Sequence, residues 1–228
     1  MLKKILWGIV GGGALMASHS VYAADVAPAP KQPTPMNTLS IEASPEFFGA
    51  ASAKHAAGDL ASIYYKAALS HSFENNFVIG GAFQLTQRAQ EGGVGSSSSV
   101  DQIEASVAYK LKLDALTLTP GLLLGYGFGD QPKIDPNNNF NADAYYAATL
   151  AGDLKLNSHW TLNVFNVRYR NAFDYTWITP KISTGVTYKI DDTSAVYLNV
   201  GNAWKDKGDG KGLLEDKYNI AVGYKYSF

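Results

Sequence analysis

The C-terminal segment, residues 218–228, constrains the fold most, because its sequence YNIAVGYKYSF places a large apolar or aromatic side chain at every second position. A period of two is the spacing of a β-strand whose two faces meet different surroundings. Small and polar side chains occupy the alternate positions. Chain termini that are not held in structure usually fray. We therefore expect this last strand to be paired within a sheet, with its apolar face in contact with an apolar medium.

The same alternation recurs along the chain from residue 38, with turn-forming residues between the runs. It predicts ten strands, at 38–48, 60–73, 77–88, 102–113, 116–128, 143–156, 160–170, 177–190, 194–203 and 217–228. In the seventh run the apolar side chains switch midway from even-numbered to odd-numbered positions, that is, from one face of the strand to the other. This switch predicts a β-bulge near Val164.

The connections between these strands alternate in length. Tight turns of two or three residues follow the second, fourth, sixth and eighth strands, and longer links rich in Gly, Ser, Asn, Asp and Pro follow the others. A soluble β-sandwich also alternates, but the predicted strands run 10 to 14 residues. Soluble strands are usually ~5–6 residues long, whereas ~9–11 tilted residues cross a bilayer. The pattern predicts an all-β, transmembrane, up-and-down antiparallel barrel with short periplasmic turns and longer extracellular loops.

Aromatic residues collect at the two ends of the predicted strands. Amphipathic rings favour the headgroup level of a membrane, so outer-membrane barrels carry two aromatic girdles. We assign to these girdles Phe73, Phe77, Tyr126, Phe128, Trp160, Tyr169, Trp177, Trp204 and Tyr226.

The end of the chain resembles the C-terminal strand of bacterial outer-membrane β-barrel proteins, which end in Phe after alternating aromatic residues. The matching positions are Tyr224, Tyr226 and Phe228. The resemblance implies that these residues are the signal that the outer-membrane insertion machinery recognises. It also implies membrane lipid as the partner of the apolar face and the bacterial outer membrane as the location.

The N-terminal region predicts export. Lys3 and Lys4 precede an apolar stretch at 5–17, and Val21-Tyr22-Ala23 has the small residues of a cleavage site. These features indicate a signal peptide over residues 1–23. Prolines recur through 24–37, which predicts a semi-extended periplasmic leader before the barrel at 38–228.

Charge and cysteine content exclude several classes of function. Without residues 1–23 the chain would carry 17 Lys and Arg against 20 Asp and Glu, and it has no cysteine. A near-neutral balance argues against a nucleic-acid partner. The absence of cysteine removes thiol catalysis and cysteine-bound metal. We expect no cofactor and no metal.

The strand face that carries the polar side chains would face the lumen, and most of its charged side chains are basic. It holds eleven bases and five acids, and acidic residues concentrate in the loops instead. We assign as pore-lining the bases Lys66, Arg88, Lys110, Lys112, Lys155, Arg168, Arg170, Lys181 and Lys189. A basic wall in a narrow lumen favours the entry of anions. The sequence therefore predicts a narrow porin-like channel for passive diffusion of small, preferentially anionic solutes.

Two alternatives remain open at this level. The lumen charges could pair with one another, giving a closed barrel that anchors the surface or binds partners through its extracellular loops. Separately, the stretch 166–170, NVRYR, resembles the Arg/Tyr-alternating strands of oligogalacturonate-type porins, which pass acidic oligosaccharides. That resemblance would let guanidinium groups bind sugar carboxylates while rings stack on sugar faces.

The sequence offers no preorganised catalytic set. His55 shares one loop with Ser52 and Asp59, whereas a catalytic triad needs a rigid frame. His71 and His159 lie beside the predicted short turns, where we interpret them as interfacial residues. We therefore predict that the protein is not an enzyme.

Overall fold

The computed structural model describes residues 36–50, 56–88, 101–128, 142–173, 178–206 and 212–228. The predicted signal peptide and nearly all of the proline-rich leader lie outside these residues, so both remain predictions. Within the described residues the secondary structure consists of β-strands and turns. No described helix is long and apolar enough to cross a membrane.

Eleven strand segments follow one another along the chain. They are β1 (Asn37–Phe48), β2 (Leu60–Ser72), β3 (Phe77–Arg88), β4 (Asp101–Tyr109), β5 (Leu111–Leu113), β6 (Leu116–Phe128), β7 (Ala142–Lys155), β8 (Trp160–Ala172), β9 (Lys181–Lys189), β10 (Ser194–Asp206) and β11 (Leu213–Ser227). β4 and β5 pair with β6 in one unbroken register, as Ala108↔Gly121 and Lys112↔Thr117 demonstrate. They are therefore two parts of one barrel strand, and the predicted count of ten strands is confirmed.

The sheet closes on itself. Every neighbouring pair is antiparallel, and β1 pairs with β11 from Thr38↔Ser227 to Phe48↔Lys217. At the end of the chain, Asn37 and Phe228 exchange backbone hydrogen bonds of 3.0 Å in both directions. The C-terminal strand is thus paired along its whole length, as its regular alternation predicted. Closure is what a membrane-spanning sheet requires, since an open edge would leave backbone groups unpaired in hydrocarbon.

Short connections lie at the end of the barrel that also holds Asn37 and Phe228. They comprise residues 73–76, 114–115, 156–159 and 190–193, whereas the connections at the other end are longer. Side chains fix these turns. Asp191 Oδ1 accepts the N–H groups of Thr193 and Ser194, each at 2.8 Å, and the Thr193 hydroxyl at 2.9 Å. These hydrogen bonds, led by the Thr193 N–H, hold the pKa of the Asp191 carboxyl below its ordinary value.

The two faces of the barrel differ as predicted. Large apolar side chains point outward, where Leu122 is 64% and Val222 is 57% exposed. Polar side chains such as Gln84, Glu46 and Arg170 point inward and are buried. Soluble monomers rarely expose continuous apolar patches beyond a few hundred Å². An apolar belt around the whole barrel fits a lipid environment instead.

Strand boundaries differ from the predictions mainly at the long-loop end. β9 begins at Lys181 rather than at 177, because the backbone before it is irregular and Pro180 has no N–H to donate. β11 begins at Leu213 rather than at 217, since a register shift between Ala203 and Trp204 lets its pairing with β10 continue. The predicted bulge in β8 is confirmed by a register shift between Asn163 and Asn166, around Val164.

Two tyrosine rings lie in the lumen against glycines of the neighbouring strand. A Cβ at Gly125 would lie 2.2 Å from Tyr145 Cζ, and one at Gly223 would lie 2.2 Å from Tyr197 Cζ. Tyr145 is fully buried, and its hydroxyl lies within hydrogen-bond distance of Gln102 and Glu104. Its ring therefore cannot move aside without loss of those contacts.

Replacement of Gly125 by alanine should destabilise the barrel by roughly 1–3 kcal/mol, the usual effect of overpacking a filled interior. The urea midpoint of the refolded protein, followed by its heat-modifiable band on a gel, measures this change. Gly81→Ala is the matched control, because the nearest atom to its added Cβ is 3.7 Å away. Equal midpoints for the two variants would contradict the proposed packing of Tyr145 on Gly125.

Candidate functional site

The candidate site is the lumen, whose wall is lined with buried charges. Among the described residues, the buried acids are Glu42, Glu46, Glu104 and Asp153, and the buried bases are Lys66, Lys110, Arg168, Arg170, Lys181 and Lys225. Six bases against four acids leave a positive excess in this buried set. Charges removed from water need partners, so the pairing of each one decides what the lumen can do.

Glu104 is the centre of one cluster. The Lys66 ammonium lies 2.5 Å from Glu104 Oε2, and the Tyr145 hydroxyl lies 2.9 Å from Glu104 Oε1. The same hydroxyl lies 3.0 Å from Gln102 Oε1. Both carboxylate oxygens of Glu104 are therefore occupied by contacts from strands β2 and β7.

Glu42 and Glu46 form a second acidic centre on β1. Tyr64 donates its hydroxyl hydrogen to Glu42 Oε1 at 2.6 Å. Glu46 Oε2 accepts hydrogen bonds from the Ser62 hydroxyl at 2.6 Å and from the Lys217 ammonium at 3.1 Å. Hydrogen bonds of this kind let a carboxylate stay charged away from bulk water.

Arg168 is a buried basic side chain whose pairing is incomplete. It is only 2% exposed, yet its Nε and Nη1 have no hydrogen-bond acceptor within the described part of the chain. Glu104 and Glu46 both act electrostatically on its guanidinium, and each already accepts contacts from other side chains. The neighbouring Thr149, directly opposite Arg168 on β7, has an equally unpartnered hydroxyl oxygen.

Two other predicted pore-lining residues lie beside tyrosine rings. The Arg170 guanidinium lies over the ring of Tyr145, 5.3 Å from its centroid, and Arg170 Nε donates to Thr179 Oγ1 at 2.8 Å. The Lys181 ammonium lies 5.9 Å from the ring centroid of Tyr64. Cation–π contacts stabilise cations that have lost part of their hydration.

The remaining predicted pore-lining bases lie toward the ends of the lumen. Lys110 is buried and donates to Ser72 Oγ at 2.9 Å, while Lys112 is exposed at the short-turn rim. Lys155 and Lys189 line a small cavity of about 40 Å³ at that rim, and Lys189 also forms an ion pair with Asp192. The side chain of Arg88 lies outside the described residues.

The structure corrects one expectation for the Arg/Tyr stretch of β8. Arg168 and Arg170 point into the lumen, but Tyr169 points outward and is 43% exposed. A single solute cannot meet both the guanidinium groups and this ring, because successive residues of a strand face opposite sides. Any ring that acts together with these arginines is a lumen tyrosine, such as Tyr145.

Six of the nine aromatic residues assigned to the girdles are exposed and face outward. At the short-turn end are Phe73, Phe77, Trp160 and Tyr226, and at the long-loop end are Tyr126 and Tyr169. Phe128 and Trp204 are partly buried, and Trp177 lies outside the described residues. Of the proposed insertion signal, Tyr224, Tyr226 and Phe228 all point outward, and the Tyr224 hydroxyl contacts Ser194 Oγ at 2.9 Å.

The histidines of the described chain show no catalytic arrangement. His71 contacts Asn37 and packs edge-on against Phe73, and His159 packs near Tyr188. Within the described segments, no group of three or more His, Asp or Glu could hold a metal ion. His55 lies outside those segments.

Sequence reasoning missed the tyrosines that fill the lumen. Tyr64, Tyr145 and Tyr197 were not singled out as side chains that pack inside the barrel. A signal was present in the doublets Tyr64-Tyr65 and Tyr145-Tyr146. Neighbouring residues of a strand face opposite sides, so one ring of each doublet must enter the lumen.

Comparisons with known proteins identify the fold. No protein-family model matches the sequence, and no curated protein matches it. Among solved structures, an outer membrane channel from Pseudomonas putida F1 is 12% identical, with 90% of this chain and 100% of that chain covered and a TM-score of 0.51. The β domain of the Bordetella autotransporter BrkA is 9% identical, with 86% and 100% covered and a TM-score of 0.51.

The KdgM porin is also similar, at 17% identity, with 83% of this chain and 99% of that chain covered and a TM-score of 0.44. At these identities the likeness shows the fold alone. The chain has the fold of bacterial outer-membrane β-barrels, and the predicted resemblance to that group is confirmed.

Replacement of Glu104 by glutamine should destabilise the barrel by about 3–5 kcal/mol, because it leaves the buried Lys66 ammonium without its counter-charge. Lys66→Met combined with Glu104→Gln should recover part of that loss. Urea midpoints of the refolded variants measure both effects.

Asp216→Asn is the control for this experiment, since it breaks the more exposed Lys205–Asp216 pair of 2.6 Å. Its effect should stay within about 1 kcal/mol, as for other surface ion pairs. If Glu104→Gln were no more destabilising than Asp216→Asn, the Lys66–Glu104 contact would not hold the lumen together.

Proposed function

We propose that the protein is an outer-membrane barrel that acts as a narrow channel for passive diffusion of small, preferentially anionic solutes. The observation that carries this proposal is the positive excess of the buried lumen set, with the guanidinium of Arg168 lacking acceptors at two nitrogens. A positive wall of low dielectric lowers the energy of an anion inside a narrow lumen.

The packing of the lumen sets the size of the solute. Tyr64, Tyr145 and Tyr197 are buried within the barrel, and two of them rest directly on glycines of the next strand. A ten-stranded barrel is only slightly wider than eight-stranded barrels, whose interiors side chains typically fill. Passage is therefore restricted to small ions and small acids, with low conductance.

Outer-membrane location is part of the same proposal. It is supported by the fold, by the apolar belt and by the outward-facing terminal aromatic residues. We further propose that a signal peptide at 1–23 directs export, that the insertion machinery reads Tyr224, Tyr226 and Phe228, and that the protein is not an enzyme.

A closed barrel that binds partners through its extracellular loops is the second candidate function. The specific observation in its favour is that the lumen side chains are buried and joined to one another, as in the Lys66–Glu104 pair. In that case the charges stabilise a filled interior, and the long connections carry the function.

Single-channel recording in a planar bilayer under a salt gradient tests the channel. The refolded protein should give small, stable steps with a reversal potential on the anion side. Changing Arg168 and Arg170 to glutamine should lower the anion-to-cation permeability ratio several-fold, because two positive charges leave the wall. Lys205→Gln is the control, since Lys205 is exposed and already paired with Asp216.

The two functions give different outcomes in this experiment. Silence from a protein whose heat-modifiable band proves that it is folded would reject the channel and favour the closed barrel. Conducting steps with unchanged selectivity in the double variant would remove Arg168 and Arg170 from the pathway.

A further inference from the structure

A small polar cavity lies at the short-turn end of the lumen, where two short turns join strands β7 to β11. Its volume is about 40 Å³. A cavity needs about 10–15 Å³ to hold one water, so this one has room for about three atoms of that size. The side chains that matter for its chemistry are Lys155, Thr161, Lys189, Ala195 and Lys225, all of which line it.

Lys225 is the buried cation on this cavity, with a relative exposure of only 6%. Its ammonium lies over the ring of Tyr197, 4.5 Å from the centroid, and contacts no hydrogen-bond acceptor among the described residues. An ammonium group carries three N–H donors, and a ring face does not replace the acceptors that water would provide. Lys225 therefore has hydrogen bonds to offer to the occupant of the cavity.

Strand register brings further donors to the same place. Lys225 pairs with Ala195, and Ala195 pairs with Lys189, so the two lysines flank a small residue in one cross-strand row. Lys155 is the cross-strand partner of Thr161 on the adjacent pair of strands. These five residues come from the five neighbouring strands β7 to β11. The short side chain of Ala195 leaves open the space between the longer lysine side chains.

The two carboxylates that line the cavity are engaged at its rim. Asp191 Oδ1 accepts the hydrogen bonds of Thr193 and Ser194 that fix the turn. Asp192 forms an ion pair with Lys189, and its own side chain is 77% exposed. Neither aspartate therefore supplies an acceptor to Lys225.

Two carboxylates deeper in the lumen, Asp153 and Glu42, also act electrostatically on Lys225. Asp153 accepts a hydrogen bond from Asn163, and Glu42 accepts one from Tyr64. Neither of these acids lines the cavity. Their attraction reduces the cost of burying the Lys225 charge, but it leaves the ammonium hydrogens without an acceptor.

We propose that this cavity binds the carboxylate group of a small organic acid, with Lys225 as its main donor and Lys189 and Thr161 beside it. A carboxylate has one carbon and two oxygens, which matches the room available, and its oxygens accept about four hydrogen bonds. Hydrogen bonds between charged partners are also the stronger ones. The biological role of the site rests on the proposed channel, because it identifies small organic acids as the solutes at the short-turn mouth.

Acetate labelled with ¹³C at its carboxyl carbon is the probe, added to the refolded wild-type protein in detergent micelles and low-salt buffer. The protein should broaden the carboxyl signal in a saturable way, and unlabelled acetate should reverse the broadening. Water alone is the alternative occupant of the cavity, and it predicts no saturable broadening. That result would overturn the proposal, as would reversal by chloride at the same concentration as acetate, since the site would then not select carboxylates.

Two variants test the assignment of the site. Lys225→Met keeps most of the buried stem but removes the charge, so it should abolish the broadening. Ala195→Val keeps every charge but fills the space between the lysines, so it should weaken acetate binding several-fold or abolish it. Lys205→Gln is the control, because Lys205 is exposed and paired with Asp216, and it should bind acetate as the wild type does.

Wild-type acetate binding in Lys225→Met or in Ala195→Val would place the acetate elsewhere and overturn the proposal. If Lys225→Met does not fold, Ala195→Val still decides. The channel and the carboxylate site can fail separately. Saturable acetate binding by a protein that gives no conducting steps supports the site without the channel, whereas conducting steps without acetate binding reject the site alone.

Discussion

Backbone hydrogen bonding in a medium without water is the constraint on which the rest of this structure depends. A sheet inside hydrocarbon must satisfy every N–H and C=O within itself, and closure between β1 and β11 achieves this. Once the ring is closed, the two-residue period of each strand divides its side chains between lipid and lumen. The apolar belt and the charged interior are therefore consequences of one geometric requirement.

Closure at ten strands creates an electrostatic problem inside the barrel. The lumen is too narrow to keep every charge hydrated, so acids such as Glu46 and Glu104 collect hydrogen-bond donors from neighbouring strands. Tyrosines fill the remaining space and supply hydroxyl donors and ring faces at the same time. Arg168 stands apart because its Nε and Nη1 have no acceptor within the described residues, and this makes it central to the proposed conduction.

The charge of the lumen and the packing of its side chains have opposite effects on the proposed passage of solutes. The basic excess supports the proposed preference for anions, whereas the tyrosine–glycine contacts limit the size of solute that the proposed channel could pass. A protein with both properties suits small solutes and low flux better than the transport of large sugar acids. The outward position of Tyr169 also argues against large sugar acids, because this ring cannot stack on a sugar that is bound by Arg168 and Arg170 in the lumen.

Much of the fold was predictable from the sequence because period-two alternation is a local property. It gave the ten strands, the two faces, the bulge near Val164 and the alternation of short and long connections. Boundaries near Lys181 and Leu213 were less predictable, since they depend on how far a neighbouring strand continues to pair. The outward or inward direction of most pore and girdle residues followed from parity alone.

The sequence by itself determined which residues face the lumen, because successive side chains of a strand must alternate. Only the tertiary structure decided which lumen charges meet, since residues such as Lys66 and Glu104 come from strands far apart in the chain. It alone placed Tyr145 on Gly125, and left Nε and Nη1 of Arg168 without an acceptor within the described residues. Those contacts depend on strand register and on closure of the ring, which side-chain periodicity does not encode.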